Sequence, residues 1–264
     1  QAVAIRKGLI VYVGDAAGVA AHRGSATQTI DLQGATVLPG LHDMHVHPGG
    51  AGLTNLQCRF DQGLTSKQVT DAVAACVKKR AKGEWVAGGQ WDAASFGKTP
   101  PHRSILDKVS PDNPVTLTDI SGHSAWANTK PLELAKITKD TPNPPGGIIE
   151  RDAKGEATGI LRESAAGLVR RVVPPPTPEQ QVQALDWALN VMLENGITSF
   201  TDAGVDENGL RSYATLADQG KLKQRVRACI FWGRAYVDGR PSPSELVIAK
   251  RNVYARERLR PECV

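Results

Sequence analysis

No apolar run in the 264 residues approaches the roughly 20 needed to cross a bilayer, and no charged-then-apolar leader opens the chain. No Cys-x-x-Cys pair occurs. Cys58, Cys76, Cys229 and Cys263 are far apart, which argues against a zinc ribbon or a dense disulfide framework and predicts reduced thiols in a cytoplasmic protein. No block of like charge is present either. The 32 basic and 27 acidic residues are scattered, and the short cluster Lys78, Lys79, Arg80 reads as a solvated helix face, so neither nucleic acid nor a membrane is expected as a partner. There is no internal repeat or low-complexity tract. What remains is 41% hydrophobic and 22% charged, the composition of an ordinary globular chain long enough for one large domain or a barrel with an accessory domain. Gln1 in place of Met, with an apolar pattern already under way, predicts a natural N-terminus further upstream, which leaves a secretion signal there open.

The first forty residues alternate with Gly turns and predict short strands at Val3–Arg6, Leu9–Val13, Gln28–Leu32 and Thr36–Leu38. Such a segment is too small to bury its own core and is expected to pair with strands elsewhere, as part of an accessory β domain over residues 1–40. An apolar strand from Thr36 then runs to His47 and into a Gly-rich loop. Beyond it the pattern predicts a helix over 66–82 capped by Thr65 or Ser66, strands at 85–88 and 114–120, and a hairpin through Ile148-Ile149 and Thr158–Leu161. Four prolines between Pro174 and Pro178 mark a boundary. After it come a helix over 178–195 capped by Thr177, a strand at Ile197–Phe200, a helix over 207–219 and a strand over 224–232, the spacing of parallel βαβ units.

The chemistry-bearing residues begin with His45 and His47. Two apart at the end of a strand, they point to the same side by period-two alternation, a geometry that can grip one metal ion, with zinc the first candidate among the divalent metals that imidazole suits. His42 faces the opposite way and reads as structural, and Asp43 as a local turn-fixing carboxylate. Glu163, where the hairpin gives way to a short helix, either carries a carboxylate to a metal or a substrate proton, or is a first-turn Glu favoured by the helix dipole. His123 either orients a substrate or ties down its own loop. Trp91, with Trp85 and Phe96, either lines a substrate pocket or anchors packing. Asp202 reads as a helix cap, with a place beside a metal-binding histidine as the alternative.

The run Val37-Leu38-Pro39-Gly40-Leu41-His42-Asp43-Met44-His45-Val46-His47 resembles the first-strand signature of the amidohydrolase superfamily. Gly122–Asn128, Pro144–Gly147, Gly155–Glu163 and Gly196–Asp202 are similar to the YtcJ-like branch (amidohydrolase family 3), which includes N-substituted formamide deformylases. The resemblance implies an α/β fold: a partial (β/α)8 barrel of about three βα units over 41–264, with a small β-sandwich segment before it and an insertion at about 53–176. It also implies a divalent metal held by His45 and His47, a small-molecule substrate, and hydrolysis of a non-peptide amide-type C–N bond by metal-activated water. The superfamily's later ligands, a lysine, two histidines and an aspartate, cannot be placed. The run Leu259–Val264 resembles the approach to that lysine, so the fragment itself is expected to be inactive. Two rival readings are a non-catalytic binding or structural protein on the same scaffold and a related deaminase or cyclic-amide hydrolase. Homo-oligomerisation is left open.

Overall fold

Of the strands expected in the first forty residues, only one pair forms. A computed structural model describes residues 1–97, 100–232, 236–237, 240–241 and 243–264, and the chain divides into two compact units, Gln1–Pro39 and Gly40–Val264. In the first unit β1 (Ala2–Arg6) and β2 (Leu9–Gly14) pair antiparallel around Lys7-Gly8, both with positive φ as so tight a turn requires. Gln28–Leu32 and Thr36–Leu38 are not strands, and among the described residues no strand pairs with them.

The second unit opens with β3 (Leu41–Val46). A Cβ at Gly40 would fall 2.1 Å from the Thr198 hydroxyl, so only glycine lets the chain enter the sheet this close to its neighbour. The expected Gly-rich loop after His47 is instead helix α1 (Pro48–Leu56), begun by Pro48 at its first turn. Three glycines make it a weak helix by propensity, and packing overrides that. At Gly52 a Cβ would lie 2.0 Å from the carbonyl oxygen of Ala184, so α1 lies directly on the backbone of a later helix.

Residues between α1 and that helix build a separate sheet. Helix α2 (Ser66–Val77) starts with a reciprocal capping box between Thr65 and Gln68, and it stops short of the expected 82. There follow β4 (Val86–Trp91), α3 (Arg103–Val109), β5 (Val115–Asp119), β6 (Ser124–Ala127), α4 (Thr129–Leu134), β7 (Gly147–Arg151), β8 (Ala157–Glu163) and α5 (Ala166–Arg170). The strands lie in the order β4-β5-β6-β8-β7, with β4 and β5 parallel and the rest antiparallel. Trp91, Trp126, Leu106 and Leu117 fill one face of this sheet, and Leu161, Ile149 and Val169 belong to a second cluster.

The chain then forms α6 (Pro178–Glu194), with Thr177 in a capping box with Gln180, followed by β9 (Ile197–Val205), α7 (Glu207–Asp218) and β10 (Arg225–Ile230). Two short strands, β11 (Tyr236–Val237) and β12 (Arg240–Pro241), precede α8 (Pro243–Ala249) and β13 (Leu259–Cys263). The strands β13-β10-β9-β3 make a parallel sheet, and Phe200, Leu189, Tyr213 and Leu216 pack its core against α6 and α7. This is an α/β fold with mixed sheets. Among the described residues no helix is long and apolar enough to cross a membrane.

The expectation of free thiols is overturned. Cys58 is bonded to Cys76 and Cys229 to Cys263. The second pair is set by register, since Cys229 and Cys263 stand opposite each other on the neighbouring strands β10 and β13. A sequence separation of 34 carries no sign of that adjacency. The solvated face expected at Lys78–Arg80 is also partly a tether, because Arg80 donates to the carbonyl of Leu56 and to Glu84.

Candidate metal centre

His45 and His47 come together at the carboxyl end of β3. Their rings meet edge to face with centroids 5.1 Å apart. His45 is the last strand residue but one and His47 the residue just before α1, so the strand sets one side chain and the helix start the other. Asp43 Oδ1 accepts the backbone N–H of His45, the local role expected for it, and His42 Nδ1 lies 2.8 Å from Ser199 Oγ on β9, away from the pair.

Register brings a third group in. Val46 stands opposite Asp202, and Asp202 Oδ1 lies 3.6 Å from His47 Nδ1, an ion-pair distance too long for a hydrogen bond. Asp202 Oδ2 accepts the hydroxyl of Tyr213 at 2.9 Å. Burial pushes the Asp202 carboxyl above the ordinary carboxylate range, against the pull of the Tyr213 hydroxyl, the Gly204 N–H and His47. Asp202 is therefore not the helix cap expected of it. Asp206 caps α7 by accepting from Gly209. Tyr213 escaped sequence reasoning altogether, since as a single residue of an amphipathic helix it carries no signal beyond burial.

A cavity of about 320 Å³ opens against this group, lined by His47, Leu53, Leu185, Asp202, Tyr213 and Phe231 among others. It sits at the carboxyl ends of β3, β9 and β10, where open α/β sheets place their ligands. Two imidazoles side by side with a carboxylate behind one of them suit a divalent ion of the zinc type. Among the described residues no group of three or more His, Cys, Asp or Glu side chains is arranged to hold a metal.

The remaining candidates lie on the other sheet. His123 Nδ1 and Glu163 Oε2 are 2.9 Å apart, both side chains more than half exposed, and the backbone N–H of Glu163 donates to the carbonyl of His123. Glu163 raises the His123 pKa first through their hydrogen bond and then through charge. Glu163 holds a φ of +50°. The loop carrying His123 is fixed by Asp119, which accepts from the Ser121 hydroxyl and the Ser124 N–H, and by Arg170, which donates to Gly122 O. Trp91 does not face a pocket. It is 1% exposed, its indole N–H donates to Leu117 O, and it packs edge-on against Phe96 and Trp126, so its role is in the core. The same motif that carries His123 also contributes buried structure: Asn128 accepts from the Val115 N–H and donates to Ser110 and Asn113.

The amidohydrolase family model matches residues 28–256, which takes in both histidines, the five-stranded sheet, and strands β3, β9 and β10 with Asp202. The chain belongs to the amidohydrolase family. Within it the relatives support the YtcJ-like branch. This amidohydrolase is 35% identical over 242 residues to the putative amidohydrolase YtcJ of Bacillus subtilis, covering 87% of this chain and 45% of that protein. It is 32% identical over 229 residues to the N-substituted formamide deformylase of Arthrobacter pascens, covering 84% of this chain and 42% of that protein. An uncharacterized metal-dependent hydrolase from Pyrococcus furiosus shares the fold, with a TM-score of 0.72 at 24% identity over 99% of this chain and 51% of that one. The amidohydrolase chain thus spans about half the length of the relatives it matches.

Proposed function

We propose that the protein carrying this chain is a metal-dependent hydrolase that cleaves a non-peptide amide-type C–N bond of a small molecule. The observation that carries the reading is the adjacency of the His45 and His47 rings at the carboxyl end of β3, with a substrate-sized cavity beside them. In this reading the four parallel strands belong to a (β/α)8 barrel, the segment between α1 and α6 is an insertion after its first strand, and the hairpin β1–β2 is part of a composite β-sandwich.

His45 and His47 would each give a ring nitrogen to a divalent metal, zinc being the best match to two imidazoles. A metal held by these two side chains would supply Lewis acidity, both toward a carbonyl oxygen and toward a water that would then be available as hydroxide near neutral pH. Leu53, Leu185 and Phe231 bind the apolar part of the substrate and exclude water from it. His123, whose pKa Glu163 raises through their hydrogen bond, is suited to hold or release a proton at Nε2 toward a substrate atom.

The test is hydrolysis of a panel of N-substituted formamides and other N-acyl amines by the whole protein. Turnover that disappears in the His45→Ala, His47→Ala double variant supports the reading. Full activity in that variant rejects it, and binding of the same compounds without turnover favours a non-catalytic scaffold.

A further inference from the structure

Asp202 is the one charged side chain that is buried among the described residues, at 4% exposure. Burying a carboxylate costs several kcal/mol unless charge and hydrogen bonds offset it, and an apolar residue of similar size would pack there without that penalty. Among the described residues no lysine or arginine offsets it. Its partners are the Tyr213 hydroxyl, the Gly204 N–H at 3.4 Å and His47 Nδ1, which is its only ion-pair partner among the described residues. Tyr213 is itself 1% exposed, and its hydroxyl has the Asp202 carboxylate as its recorded acceptor. One oxygen of Asp202 is thus pinned by α7 while the other faces the imidazole at the end of β3. Retaining a costly carboxylate with this pairing makes sense if the imidazole needs it.

We propose that Asp202 is a positioning residue for His47: it accepts a hydrogen bond from Nδ1–H, fixes the ring so that Nε2 is left for a metal ion, and is itself held by Tyr213. The half-exposed imidazole would need to bring Nδ1 only about 0.5 Å closer than its 3.6 Å separation to make a hydrogen bond. The proposal rests on reading His47 as a metal ligand. Carboxylates behind metal-binding histidines set the tautomer and raise ligand basicity, and their loss typically weakens metal binding about 10- to 100-fold.

Two measurements on the whole protein test this. Long-range 1H–15N NMR of the metal-free protein reports the His47 tautomer without any metal. The expected result is Nδ1–H in the wild type and a shift toward Nε2–H in Asp202→Asn. Zinc affinity, read by competition with a chelating dye, is expected to fall about 10- to 100-fold in Asp202→Asn and by less in Tyr213→Phe. Tyr213→Phe removes only a hydroxyl and carries the test if the Asp202 variant does not fold. Unchanged tautomer and zinc affinity in both variants overturn the positioning role alone. A wild type that binds zinc no better than His47→Ala overturns the metal reading and this proposal with it.

Discussion

Glu207 gathers three side-chain partners: Arg211 one turn along α7, Lys250, and the hydroxyl of Tyr254, all on the same oxygen. Lys250 first, then Tyr254 and Arg211, lower its pKa to about 2. Because the folded value lies below the unfolded one, the stability this gives is complete above the unfolded pKa of about 4.5 and is lost as pH falls from there toward 2. Urea unfolding followed across that window should show stability dropping with pH, and Glu207→Gln should flatten the slope. At His123 the sign is opposite. Its pKa is raised, so the contribution of the pair with Glu163 is present below the ordinary histidine value and fades as pH climbs through the folded one. An NMR titration should find His123 above 6.5 in the wild type and back near the ordinary value in Glu163→Gln. A His123 curve that does not move would separate the two side chains in solution. Glu163 adopts its left-handed φ at a cost of about 1 kcal/mol.

Among elements, α1 depends on close approach rather than on propensity. Gly52→Ala places a methyl 2.0 Å from the Ala184 carbonyl, a backbone atom that cannot rotate away, so α1 must lift from α6. Overpacking of this kind costs about 1–3 kcal/mol, and thermal melting of the variant should show it. Because His47 immediately precedes α1, the same change should also disturb the contact with Asp202. The two disulfides close loops of 18 and 34 residues, which in a chain-entropy account stabilise by about 3 and about 4 kcal/mol. Thiol titration of the unfolded, unreduced protein should therefore find no free cysteine, and reduction should lower the melting temperature. Four reactive thiols in the native protein would contradict the pairing. The capped helices α2, α6 and α7 were legible because Thr65, Thr177 and an amphipathic period announce themselves locally. The helix α1, the cysteine pairs and the core position of Trp91 were not, since each depends on what a distant segment brings alongside.

For the whole molecule, the parallel strands β3, β9 and β10 and the hairpin of β7 and β8 could be read from apolar runs and turn residues, because those patterns are local. The sheet order could not, and with it the meeting of His47 with Asp202 and Tyr213, both more than 150 residues further along the chain. His45 and His47 were visible as a pair from spacing, and the fold adds the carboxylate and the cavity behind them. Leu9, Ile10, Val13, Leu38 and Met44 are exposed, and β3 and β13 are edge strands, so the chain by itself offers apolar surface and open edges. The most direct measurement of the central claim is the divalent metal content of the whole protein, purified without added chelator, beside that of the His45→Ala, His47→Ala double variant. Bound metal in the first and its loss from a still-folded second is the predicted result. Equal metal in both would contradict the assignment of these two histidines.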